Sequence, residues 1–179
     1  MAYYELTDHF EVKADLPTTW RFFSAVENLA RITPPWLGFT VRMDGPVELR
    51  DGSLVDYTIK WMGFPIKWRT RIIDWSPPRQ FIDIQLRGPY ALWHHQHVFE
   101  ASEAGVICRD RMIYELPVAP IAPLVHALVV KRQLTEIFRF RRKVIAQELG
   151  WVRAIQEDVR CVRVCSAHLA PNTLNVIPR

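Results

Sequence analysis

The sequence is poor in features that would place it outside the cell or in a membrane. Its three cysteines, Cys108, Cys161 and Cys165, are too few for a disulfide framework. Its longest apolar run, Leu116 to Val130, carries Pro117, Pro120, Pro123 and His126, too short and too broken for a bilayer span. No secretory signal opens the chain, because Glu5, Asp8 and Glu11 interrupt its first residues. The expectation is a reducing, cytoplasmic setting. Glycine-rich phosphate loops, Walker motifs and nucleophile elbows are missing, and nothing suggests a covalent nucleophile.

Excess charge of one sign is also scarce. The formal net charge is +4. Residues 131–148 hold Lys131, Arg132, Arg139, Arg141, Arg142 and Lys143 against Glu136 and Glu148, which accounts for the whole excess. Elsewhere the charges balance, so a nucleic-acid coat is not indicated. The plain reading is one solvated basic helix face.

Aromatic residues are abundant. Seven Trp and nine Phe sit in a chain that is 49% hydrophobic, which excludes disorder and low-complexity tracts. A chain of 179 residues is expected to form one domain and needs no staples.

Leu6, Asp8, Phe10 and Val12 alternate with polar residues and predict a first strand, although Asp8 spoils one face. Asp15-Leu16-Pro17-Thr18 starts a helix, a second short helix covers Glu27 to Ile32, and Pro34-Pro35 stops it. From Gly38 to Glu115, turn signals separate runs of period two. Six strands follow: 38–43, 53–61, 65–75, 80–87, 91–100 and 105–115. Their short connections make the sheet antiparallel. Ala127, Val130, Leu134, Ile137, Phe138, Val144, Ile145 and Leu149 then recur at three and four, which predicts a long helix over 121–149 stopped by Gly150. Residues 151–179 read as an appended tail of uncertain order. The expected fold class is α+β: a seven-stranded curved antiparallel sheet, two short helices, and a long C-terminal helix. One helix across such a sheet leaves space unfilled, so an internal cavity is expected.

This order, with its motifs, resembles a known group. The motifs include Phe22-Phe23, Asn28-Leu29, Ile32 to Phe39, Asp56-Tyr57, Gly63-Phe64-Pro65, Phe81-Ile82-Asp83 and Gln85 to Tyr90. Trp93-His94-His95, His97, Phe99, Asp110, Tyr114 to Pro117 and Ile137 to Arg141 complete the series. Together they resemble the START-like, helix-grip superfamily, also called SRPBCC. That superfamily includes polyketide cyclases, lipid-transfer proteins and plant pathogenesis-related allergens. The closer match is a bacterial ligand-binding subfamily labelled cell-division-inhibitor-like. The resemblance spans about residues 5–149, the helix-grip domain then being 1–150. It departs at Glu103-Ala104-Gly105-Val106, where the family carries Gly-Gly-Thr, and at Val118 to Pro123, where it carries glycines. The resemblance implies a fold and a ligand-sized cavity, but no particular reaction.

Strand parity selects the cavity face. It gives Val55, Tyr57 and Ile59; Ile66, Trp68, Thr70 and Ile72; Phe81, Asp83 and Gln85; and Trp93, His95, His97 and Phe99. A turn centred between Ser102 and Glu103 sets Phe99 opposite Val106, His97 opposite Cys108, His95 opposite Asp110 and Trp93 opposite Met112. The preceding hairpin sets Asp83 beside His95. A carboxylate beside a histidine fixes its tautomer and raises its pKa. The pair can anchor a ligand, act as general acid and base, or simply satisfy itself. Arg141 falls on the apolar side of the long helix with Phe138. It must meet Asp110, Asp83 or a ligand carboxylate, or else snorkel outward. Tyr57, Gln85 and Tyr114 can add hydrogen bonds to a ligand.

No metal or cofactor is expected. Cys161, Cys165 and His168 lack a fourth ligand, and strand alternation turns His94 away from His95 and His97. Two functions remain: binding or transport of a lipid-, quinone- or polyketide-like molecule, or a cyclase/dehydratase-type enzyme using His95 and Asp110. Val118 to Val130, beside the basic helix, can form a lid and touch an anionic membrane weakly.

Overall fold

A computed structural model describes residues 3–41, 49–61, 63–117 and 120–164. The elements follow the expected order. Strand β1 (Tyr3–Val12) leads into helices α1 (Leu16–Ser24) and α2 (Val26–Arg31). Strands β2 (Thr40–Val41), β3 (Leu54–Trp61), β4 (Phe64–Ser76), β5 (Gln80–Arg87), β6 (Leu92–Ala101) and β7 (Val106–Glu115) follow. Asp15 caps α1 by accepting the Thr18 N–H at 2.8 Å. Helix α3 (Ala122–Val125) continues through a π-helical turn (His126–Val130) into α4 (Lys131–Leu149). Gly150, at φ 72°, ends the helix in a backbone conformation that other residues rarely adopt.

The sheet is antiparallel, curved and unclosed, in the order β2-β3-β4-β5-β6-β7-β1, with a further strand beyond β1. Among the described residues it has nine strands where seven were expected. The additions are β8 (Trp151–Ala154) and β9 (Arg160–Val164), both paired with β1. Val159 and Cys161 of this segment are buried. Their apolar alternation is too short to be told from a loop by pattern alone. Residues 165–179 lie outside the described residues, as do residues 42 and 43 of the expected second strand.

The β6–β7 register corrects the expected pairing. His97 faces Asp110, His95 faces Met112, Trp93 faces Tyr114 and Phe99 faces Cys108. The turn is a four-residue loop in which the Ser102 N–H donates to the Gly105 carbonyl at 2.9 Å, so its centre falls one position later than expected. Gly105 permits this, since a Cβ there would lie 1.9 Å from the Val12 carbonyl oxygen. Each partner shifts by two residues, and an even shift leaves every side chain on its expected face. The β5–β6 hairpin pairs Asp83 with His95 as expected.

Two apolar clusters fill the space between sheet and helices. One gathers Phe10, Val12, Phe22, Phe81, Phe99 and Ile145. The other gathers Tyr4, Leu6, Met112, Tyr114, Leu134 and Phe138. Leu134, Phe138, Ile145 and Leu149 repeat at helical spacing and bury one face of α4, worth about 1.5–3 kcal/mol for each large side chain. Between the clusters runs a polar row of Asp8, Asp110, His95 and His97, all buried.

Candidate functional site

Where α2, α4 and the sheet diverge, a chamber of about 450 Å³ opens. Ile59, Ile66, Trp68, Tyr90, Trp93, Leu134, Ile137 and Phe138 are among its walls. A smaller chamber of about 120 Å³ lies deeper, against Thr70, Phe81, Asp83 and His97. Leu29, Tyr57, Trp93, His95 and Arg141 line both. Strand parity finds much of the sheet's share of the wall, and helix spacing adds Phe138 and Arg141. Tyr57, Trp68, Thr70, Phe81, Asp83, Trp93, His95, His97, Phe138 and Arg141 all face one chamber or the other.

Gln85, Asp110 and Tyr114 do not. Gln85 clamps the β5–β6 connection, donating to the Tyr90 carbonyl at 2.7 Å and accepting the Tyr90 N–H at 3.3 Å. Tyr114 lies beneath the π-helical turn, its hydroxyl 2.8 Å from His126 Nε2 and 3.2 Å from Cys161 Sγ. Asp110 sits behind the histidines rather than beside a ligand. In each case the parity is right, but the side chain is committed to other protein groups rather than to the cavity.

The histidines and aspartates form one cluster. His95 Nε2 lies 3.0 Å from Asp110 and His95 Nδ1 lies 3.4 Å from Asp83. His97 Nε2 lies 3.1 Å from Asp83. His97 Nδ1 lies 2.6 Å from Asp110 but off the line of its ring N–H, so this contact is electrostatic rather than a hydrogen bond. Trp93 Nε1 donates to Asp83 at 3.0 Å. Burial favours neutral imidazole at His95, but the Asp83 charge and hydrogen bonds to Asp110 and Asp83 outweigh it and raise its pKa. Burial also opposes ionisation of Asp83, and His95 and His97 overcome it, holding the carboxyl below the usual range. Asp110 is held well below that range against the same penalty, by the His97 charge and a hydrogen bond from His95. The chemistry available is an imidazole whose protonated form is favoured, on a cavity wall between two carboxylates, one at the wall and one behind it. Asp83, His95 and His97 also offer one ligand atom each within 4.8 Å of one another, a spacing compatible with a cation. His94 points to the other face of the sheet, as expected from alternation.

Two features escaped the sequence reading. Asp8 is no flaw in the first strand, because Arg142 of α4 forms an ion pair with it. Burial raises the Asp8 pKa despite that partner. His126 stacks on Tyr4 at 3.5 Å, and burial and Lys131 lower its pKa to about 4. The signal for the Asp8 pair was the isolated acid itself, opposite a helix with surplus arginines. Cys165 and His168 lie outside the described residues.

No family model matches the chain, and no curated protein matches it. Solved structures do. TTHA0849 from Thermus thermophilus aligns over 81% of this chain and 96% of its own, with a TM-score of 0.63 at 16% identity. The chain has the helix-grip fold. The same helix-grip core aligns with the Zhui aromatase/cyclase from a Streptomyces species, covering 82% of this chain and 96% of that one (TM-score 0.58, 14% identity). It also aligns with the di-domain aromatase/cyclase StfQ of the steffimycin biosynthetic pathway, at a TM-score of 0.63 and 11% identity. There it covers 83% of this chain but only 51% of StfQ, about half of the two-domain protein.

Proposed function

We propose that this helix-grip chain binds or transports a hydrophobic small molecule, lipid-, quinone- or polyketide-like, in its 450 Å³ chamber. The observation that carries the reading is the chamber itself. Its size is typical of ligand sites, and its walls are aromatic and aliphatic with a few polar groups at the inner end. Native mass spectrometry of freshly purified protein is the test. A co-purified apolar molecule, lost in Ile137→Trp, which fills the chamber from α4, supports it. Ligand-free protein that also fails to take up apolar dyes overturns it.

A cyclase/dehydratase reading rests on a second observation, His95 held at the wall between Asp83 and Asp110, which favour its protonated form. The aromatase/cyclases StfQ and Zhui share the fold, which favours the same chemistry class here. In this reading His95 is the general acid and Asp110 sets its charge. Replacing His95 with Phe separates the two functions. Turnover lost with binding kept favours the enzyme. Unchanged binding and no turnover in either protein favour the carrier.

The chamber opens beside α3, where Ile121, Leu124 and Leu128 are 55%, 61% and 68% exposed, next to Lys131 and Arg132. We propose weak contact of this rim with anionic membranes from a cytoplasmic location. Among the described residues no helix is long and apolar enough to cross a membrane. Failure to bind anionic vesicles at low salt counts against the contact.

A further inference from the structure

We infer that the molecule held in the chamber is an amphipathic carboxylic acid, its carboxylate on the Arg141 guanidinium and its apolar body in the 450 Å³ chamber. This deepens the binding function proposed above and rests on it.

The argument is one of unmatched charge. Arg141 lines both chambers, at the neck they share. Its neighbours on α4 are satisfied: Arg139 pairs with Asp158, and Arg142 pairs with Asp8. Among the described residues Arg141 forms no ion pair, and its Nε is buried without an acceptor. Asp83 stands on the same wall but is already held by Trp93, His95 and His97. The hydrogen bonds and ion pairs of Asp83 and Asp110 thus go to Trp93 and the two imidazoles and leave the arginine over. The Phe138 ring, 5.3 Å from the guanidinium carbon, positions the group but accepts none of its in-plane N–H bonds. Arg141 as a whole is half-buried, but its Nε is buried without an acceptor, and a planar carboxylate supplies two acceptors in the fork geometry of guanidinium. A neutral ligand of the same shape supplies no such charged pair. Trp68 Nε1, another wall donor, is also buried without a partner and can take a second ligand oxygen.

The test uses a matched pair of fluorescent probes, 1-pyrenebutyrate and 1-pyrenebutanol, which differ only in the head group. The purified full chain should bind the acid roughly tenfold or more tightly than the alcohol at neutral pH. Arg141→Leu should bring the acid down to the alcohol's affinity while the alcohol stays within about twofold, and Arg141→Lys should keep part of the preference. Ligand-free Arg141→Leu should unfold at no lower temperature than the parent, since it removes a charge that forms no ion pair among the described residues. Equal affinity of the unmodified chain for both probes overturns the assignment, whatever the variants do. Equal weakening of both probes in a folded Arg141→Leu also overturns it, because the arginine then only shapes the wall. Neither outcome touches the chamber as an apolar site. That broader proposal falls only if neither probe binds, and the carboxylate assignment falls with it.

Discussion

Asp110 holds the ring of His95 at 3.0 Å from the side away from the chamber. One carboxylate thereby sets the charge of a group that a ligand meets, without meeting the ligand itself. Asp110→Asn should lower the His95 pKa, read by NMR titration of the ring protons. It should also cost about 3 kcal/mol of stability, because it breaks a buried charge cluster from one side. An unshifted His95 titration would show that Asp83 alone controls the ring.

Stability should fall at both ends of the pH scale, for different reasons. The His126 pKa is lowered from 6.5 to about 4, so the unfolded chain takes up this proton first and stability drops as pH falls from 6.5 toward 4. Below that, Asp83 and Asp110 withdraw what they contribute as they protonate, their folded pKa values lying under 3.8. His95 works in the other direction. Its raised pKa adds stability below pH 6.5 that is lost as pH rises through its folded value. Melting temperatures across pH, with His126→Asn expected to flatten the limb between 6.5 and 4, check this.

Asp8 and Arg142 should behave as a coupled pair. Asp8→Leu alone leaves a partly buried guanidinium unmatched and should cost about 3–5 kcal/mol. Asp8→Leu with Arg142→Leu should recover most of that, because an apolar pair of similar volume replaces the ions. Additive losses in denaturant unfolding would show that the two do not interact.

A chain ended after Gly150 should be less stable by about 3 kcal/mol or more. It uncovers one side of β1 and removes the buried Val159 and Cys161, which pack over Tyr4 and Leu6. The change should appear as a lower denaturation midpoint and as faster amide exchange along β1. An unchanged midpoint would make the two added strands mere decoration.

What the sequence discloses depends on the range of the interaction. Face is local: Trp68, Phe81, His95 and Phe99 follow from alternation, and Arg141 follows from its spacing to Ile137 and Phe138. Register is not local. It turned on how Gly105 packs against Val12, a residue at the far end of the chain, so His97 rather than His95 came to face Asp110. Depth is also hidden. Tyr114 has the parity of a wall residue, yet His126 and Cys161 cover it, and Cys161 is 47 positions away. The mutual satisfaction of Asp83, His95, His97 and Asp110 could not be separated from a ligand site by pattern. Both use the same residue types.

The sheet's outer margins have one more consequence. Strand β1 spans ten residues, a long template for another chain to pair with. Here that margin is occupied by two short pieces of the same polypeptide. Among the described residues the strands left at the rim on this side are short: four residues in β8 and five in β9. A margin trimmed in this way offers little purchase for edge-to-edge pairing along β1, the strand that also carries Asp8 of the buried polar row.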